Sequence, residues 1–209
     1  MAGEYEMGTG LGAVAEEVVA ATAAATKDVA RGAAALARLL GWDTSLLLGM
    51  RRFHAPWRTR IALSLTFAGN GWSWTVAGAG IVGAGLALRS RGTIHTGLRL
   101  GVAAMVGALA AQGVKRTLNR RRPTHAIEGF EALAENPDAF SFPSGHSAAA
   151  FAVAVALQGE YACTGPLSLM LAVGIALSRV YLGAHYPLDV MAGALVGAGA
   201  GVATRLALP

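Results

Sequence analysis

The strongest constraint on this chain is a stretch without a single charged residue, from Ile61 to Leu88. A helix at the surface of a water-soluble domain needs a polar face, whereas roughly 20 apolar residues cross the hydrocarbon of a bilayer. The run therefore belongs in a membrane. "GNG" at Gly69 to Gly71 breaks it, followed by Trp72 and Trp74. The expected outcome is a short helix, then a span whose tryptophans sit at the interface. Further apolar runs at about 94–114, 145–161, 165–182 and 188–207 read as spans. Composition agrees, with 54% hydrophobic and only 14% charged residues and a mean hydropathy of +0.49. The 28 glycines, interleaved with alanine, suit helices packing backbone to backbone in lipid. These features predict an all-α integral membrane helical bundle of about five to six transmembrane helices.

Residues from about 11 to 40 have helix-forming composition, but Glu16, Glu17, Lys27, Asp28 and Arg31 are too frequent for a span. An amphipathic helix is expected there, giving an N-terminal interfacial segment over 1–56 and a transmembrane domain over 57–209. The opening "MAGEYEMGTGLG" is acidic where a secretory signal would be basic, so no cleavable signal is read. The single cysteine, Cys163, excludes an internal disulfide and a cysteine metal cluster. In the last span Gly193, Gly197 and Gly201 form one small-residue ridge, read as an internal packing seam.

Counting crossings brings the ionisable residues together. If the second span ends at Lys115, the polar connection 115–143 stays on that face, and the third span leaves it from Ser144. The fourth returns, ending in "SRVYLGAHYPLD", and the fifth departs again. Three segments carrying Lys115, Arg122, His146, Arg179, His185 and Asp189 thus meet at one membrane face. Ionisable groups gathered at helix ends in a membrane mark function more often than architecture.

Lys115, Arg122 and Arg179 supply cations whose donors match phosphate oxygens. The N–H groups of Ser144, Gly145 and His146 open a helix, a ready anion site. His185 and Asp189 are four apart, so the carboxylate can hold one ring nitrogen as N–H and leave the other free to attack. A phosphate between two histidines could be attacked by one while the other protonates the leaving oxygen. The basic excess, 17 Lys and Arg against 12 Asp and Glu, fits an anionic partner. No further ligand set has metal spacing, and the basic cluster would repel a divalent cation.

"KRTLNRRRP" (Lys115 to Pro123), "PSGH" (Pro143 to His146) and "SRVYLGAHYPLD" (Ser178 to Asp189) together resemble the three signatures of the type-2 phosphatidic-acid phosphatase superfamily. The resemblance covers about 61–208. It implies phosphate binding by Lys115, Arg122 and Arg179 with Ser144 and Gly145 in support, a transiently phosphorylated His185, Asp189 orienting it, and His146 protonating the leaving group. It further implies a metal-independent membrane phosphatase, without cofactor or nucleic acid, acting on a lipid phosphate or diphosphate such as a polyprenyl diphosphate, phosphatidic acid or phosphatidylglycerol phosphate. A bacterial inner membrane is the implied location.

Two other functions share these residues: a vanadate-dependent haloperoxidase, whose known members are soluble, and a non-catalytic lipid-phosphate-binding protein, in which a histidine or arginine of the set would be expected to be lost. Arg116, Arg120 and Arg121 are read as facing anionic headgroups. His54, His95 and His125 stay outside the site, and the acidic residues Glu128, Glu131, Glu135 and Asp138 are expected to be solvated, with a screen over the site or a lid as the open alternative. Positive charge concentrates on the site face, which favours a cytoplasmic site, whereas many bacterial members of the family act on the outer face; both orientations stay open.

Overall fold

A computed structural model describes residues 8–134 and 138–208. The opening heptapeptide and Glu135 of the acidic connection lie outside the described residues. The helices are α1 (Gly8–Met50), α2 (Pro56–Ala68), α3 (Gly71–Ala87), α4 (Arg91–Leu118), the single turn α5 (Pro123–Ala126), α6 (Gly145–Ala156), α7 (Thr164–Tyr181) and α8 (Pro187–Ala207), with a 3-10 turn at Arg51–Phe53. Among the described residues there is no strand, only one isolated antiparallel bridge between Arg121 and Phe140. The chain divides into two compact units, Met1–Thr44 and Ser45–Pro209.

Within the first unit, α1 continues beyond the expected 11–40. At about 100° per residue, Lys27, Arg31 and Arg38 fall opposite Val29 and Leu36, which is the amphipathic pattern. Arg31 and Asp28 form an exposed pair one turn apart, at 3.2 Å.

The second unit is an integral membrane helical bundle. Three of its helices are long and apolar enough to cross a bilayer: α4, α7 and α8. Helices also stand where the other two spans were expected, but α3 has 17 residues and α6 only 12. At 1.5 Å per residue α6 reaches about 18 Å, well short of a bilayer's hydrocarbon. The expected 145–161 span thus ends early, its last residues forming the turn toward α7.

The "GNG" break is real. Gly69 ends α2, and the Asn70 side chain caps α3 by accepting from the Ser73 N–H at 2.8 Å. The two tryptophans do not share the interface, as was expected. Trp72 is 76% exposed, whereas Trp74 is 7% exposed in the core and donates its indole N–H to the Gly69 carbonyl at 3.2 Å. Two positions on a helix differ by about 200°, so one ring must turn inward when the other faces lipid.

Short α6 is the hub. It packs against α4, α7 and α8, and Ser147, Ala148, Ala149, Ala150, Ala152, Val153, Ala154 and Ala156 are all buried. A helix enclosed on every side must carry small residues if its neighbours are to approach. Those neighbours approach through glycine: a Cβ on Gly193, Gly197 or Gly201 of α8 would collide with the carbonyl oxygens of Ser144, Ala148 and Ala152, respectively. The glycine ridge is therefore an internal seam, as its spacing suggested. At the end away from the site, the Arg99 side chain is only 16% exposed. It pairs with Glu160 and donates from Nε to the Leu208 carbonyl at 2.7 Å, while Thr96 donates to the same carboxylate at 3.0 Å.

Candidate active site

The site forms where α4 ends, α6 begins, α7 ends and α8 begins. Asn119, at φ 21°, terminates α4 just after Lys115. The chain then runs extended beside residues 139–141: Arg122 N–H donates to the Ala139 carbonyl at 3.1 Å, and Ser141 N–H to the Arg120 carbonyl at 2.8 Å. Alternate residues of an extended segment face the same way, so Arg120 and Arg122 point inward while Arg121 is exposed.

Arg122 is 3% exposed. Its Nη1 donates to the Ala184 carbonyl at 2.8 Å and to His185 Nε2 at 3.2 Å. A guanidinium can only donate, so Nε2 is the acceptor and its lone pair lies in the site. The proton of the neutral ring is then on Nδ1, which stands 3.7 Å from Asp189 Oδ2. That is beyond a hydrogen bond, because both oxygens of the fully buried carboxylate have closer partners: Oδ2 accepts from Tyr186 N–H at 2.9 Å and Oδ1 from Arg120 Nη1 at 2.7 Å. Burial drives the His185 imidazole down from 6.5 to about 4; Asp189 opposes this, and Arg122 and Arg179 reinforce it. The ring is neutral at pH 7.

His146 occupies the first turn of α6, half-buried, where burial first, and then the charges of Arg179, Arg122 and Lys115, push its imidazole down from 6.5 to about 3. Arg179, on the last turn of α7, reaches Thr66 Oγ1 of α2 at 3.4 Å, and that hydroxyl pairs with Ser178 Oγ at 2.8 Å. The turn after α7 folds back, with Gly183 at φ +74° and the N–H groups of Ala184 and His185 on the Arg179 carbonyl at 3.0 and 3.3 Å. This turn sets His185 beside Arg179.

Ser144 takes a different part from the one expected. Its N–H donates to the Asp189 carbonyl at 2.9 Å, and its hydroxyl caps α6 by accepting from Ser147 N–H at 3.4 Å and Ser147 Oγ at 3.0 Å. Ser144 ties α6 to α8. Among the described residues no three His, Cys, Asp or Glu side chains converge as a metal site requires. His54 bonds to the Tyr181 carbonyl at the end of α7 at 3.0 Å, His125 pairs with the neighbouring Thr124 Oγ1 at 3.2 Å, and His95 is exposed.

A family model described as the PAP2 superfamily matches residues 96–209, more than half of the chain. The chain belongs to the PAP2 superfamily. Over 102 residues it is 39% identical to a decaprenylphosphoryl-5-phosphoribose phosphatase of Mycobacterium tuberculosis, covering 48% of this chain and 55% of that protein. It is 32% identical over 110 residues to an undecaprenyl-diphosphatase of Sulfolobus acidocaldarius, covering 50% and 52%. The chain thus spans about half the length of these curated relatives. Its fold is that of a transmembrane PAP2-type phosphatidylglycerolphosphate phosphatase from Bacillus subtilis, with a TM-score of 0.68 and 24% identity over 80% of this chain and 85% of that one.

Two residues of this PAP2 site escaped the sequence reading. Arg120 was assigned to headgroups, yet it holds Asp189 and lies over the Tyr186 ring, 4.0 Å from its centroid. Arg116 and Arg121 do face outward. The signal was the two-residue interval from Arg120 to Arg122, which becomes legible only once 120–122 is known to be extended. Asp138 was read as solvated or as part of a screen or lid over the site; it binds both Lys115 and Arg122. Exchanging Arg120 for alanine removes a charge-assisted hydrogen bond from the carboxylate beside His185. It should lower kcat roughly 10- to 100-fold with little change in KM, and Arg120→Lys should restore part of it. Steady-state phosphate release by the two variants measures this.

Proposed function

We propose that this protein is a metal-independent membrane phosphatase acting on a polyprenyl-linked phosphate or diphosphate through a phosphohistidine. One observation carries the reading: His185 offers its Nε2 lone pair toward Arg122 and keeps Asp189 behind Nδ1, with the charges of Arg122 and Arg179 acting on the ring. Lys115, Arg122 and Arg179 hold the phosphoryl oxygens and offset the charge that builds in the transition state. Once Arg122 turns from His185 to the phosphoryl oxygens, Nε2 attacks phosphorus and the P–O bond to the leaving group breaks. His146, which takes up a proton when the phosphoryl anion offsets the cations around it, gives that proton to the departing oxygen. Asp189 stabilises the positive charge that the ring then carries. Water next attacks the phosphohistidine while His146 takes one of its protons, the P–N bond breaks, and inorganic phosphate leaves with both histidines ready for another cycle.

The substrate class rests on the relatives, whose names specify decaprenyl- and undecaprenyl-linked phosphates. A bacterial inner membrane suits such a carrier. Residues 1–56 serve as an interfacial segment preceding a catalytic domain over 57–209.

The deciding experiment is phosphate release from a panel of lipid phosphates in detergent. Undecaprenyl diphosphate, decaprenylphosphoryl-5-phosphoribose, phosphatidic acid and phosphatidylglycerol phosphate are presented in turn. Turnover should persist in excess chelator, and orthovanadate should inhibit as a five-coordinate phosphorus mimic. Strict dependence on added magnesium would contradict the scheme.

A further inference from the structure

The cation pair at the mouth of the site already holds an anion, and it comes from the chain itself. Lys115 Nζ donates to Asp138 Oδ2 at 2.9 Å. Arg122 donates to the other oxygen, Oδ1, from Nε at 3.0 Å and also from Nη2. One carboxylate thus presents two oxygens to two cations, as two oxygens of a phosphoryl group would. The cations are deep, with side chains 11% and 3% exposed, whereas the Asp138 side chain is 36% exposed and lies on the outer side. Burial works to raise the Asp138 carboxyl, but the hydrogen bonds from Lys115 and Arg122 and their charges outweigh it and hold the group below its ordinary value. It is therefore an anion at neutral pH.

Resting on the phosphatase reading above, we propose that Asp138 is an internal stand-in for phosphate: its carboxylate occupies the Lys115–Arg122 pair in the empty enzyme, is displaced by the substrate phosphoryl group, and returns as inorganic phosphate leaves. Two buried cations side by side without an anion are costly, so some anion must accompany them through every stage of the cycle. The exchange needs only a side-chain rotation. The backbone beside Asp138 is held independently of its carboxylate, since the adjacent Ala139 carbonyl accepts from the Arg122 backbone N–H at 3.1 Å and Ser141 N–H donates to the Arg120 carbonyl at 2.8 Å. A terminal phosphate carries about 1.5 to 2 negative charges and three free oxygens, against one charge and two oxygens for the carboxylate, so it can win the exchange. The carboxylate is tethered, so it rebinds without diffusing and opposes retention of the product.

Asp138→Asn removes the competing charge while conserving shape. If the carboxylate holds the pair in nine of ten empty molecules, apparent affinity for any phosphate ligand rises about tenfold on its removal, because apparent dissociation constants scale inversely with the open fraction. The measurement is calorimetric titration of the full chain in detergent with inorganic phosphate, beside KM and kcat for a lipid phosphate that it turns over. Expected for Asp138→Asn are about tenfold tighter phosphate binding and a similarly lower KM, with a smaller change for Asp138→Glu, which keeps the charge. Phosphate binding that is unchanged or weaker in a folded Asp138→Asn protein overturns the stand-in role, since a residue that merely braces Lys115 and Arg122 would lose affinity. Arg179→Ala separates this failure from the larger one. If wild type and Arg179→Ala bind phosphate equally, the phosphate site itself is misassigned and the stand-in falls with it.

Discussion

His185→Ala is expected to abolish phosphate release, by roughly 10⁴- to 10⁶-fold, the loss seen when a covalent nucleophile is removed from a site whose other parts remain. The protein should stay folded, because His185 lies in the turn between α7 and α8, and its side-chain partners Arg122 and Asp189 have other bonds to keep them in place. His146→Ala should behave differently. Its loss is that of a general acid, about 10²- to 10⁴-fold, and it should depend on the leaving group. With p-nitrophenyl phosphate the departing oxygen needs no proton, so the first step recovers while hydrolysis of the phosphohistidine, which needs His146 as base, stays slow. Radiolabelled phosphate should therefore accumulate on His146→Ala protein as an acid-labile, alkali-stable adduct, and none should appear on His185→Ala. Turnover at the wild-type rate in His185→Ala would remove the nucleophile from the scheme.

Much of this arrangement was legible because topology is a counting problem in a membrane. Once Lys115, Ser144 and Asp189 are placed at ends of successive apolar runs, the parity of the crossings brings them to one face whatever the packing. Arg122 and His185 do meet, and the charges of Arg179 and Arg122 act on His146, although α6, where the third crossing was counted, is only 12 residues long. What was not legible depends on side-chain direction over short irregular segments. Asp138 looked solvated because acidic residues in a polar connection usually are; its capture by Lys115 and Arg122 needs the 120–122 segment to pair with 139–141, which no periodicity announces. Ser144 was read from its position at a helix start, where its N–H could face an anion, but the close approach of α8 turns that N–H to the Asp189 carbonyl instead. The length of α6 was overestimated for a related reason. Its apolar composition reflects enclosure by three protein neighbours and not exposure to lipid, and hydropathy cannot tell the two apart.

The enclosure of α6 leads to the largest expected effect on folding. Gly197→Leu should destabilise the bundle by about 3 kcal/mol or more, because the added Cβ alone would collide with the Ala148 carbonyl, and a backbone carbonyl inside a helix cannot swing aside as a side-chain tip can. Relief requires α8 to move away from α6, and that movement cannot stay local. The Gly193 contact with Ser144 lies one turn nearer the site on the same seam and the Ser144 N–H bond to Asp189 two turns nearer, so separation there also shifts Asp189 relative to His146. The control is two residues away: Gly199 is exposed with no atom within 4 Å of an added Cβ, so leucine there meets only lipid. Leucine is also the better helix former, by roughly 0.8 kcal/mol, so Gly199→Leu should match or slightly exceed wild-type stability. Thermal unfolding in detergent should show Gly197→Leu melting far below both other proteins. Equal Tm values for the two variants would mean that the seam has room to open, and the close packing of α8 on α6 could not then be what holds the two histidine motifs together.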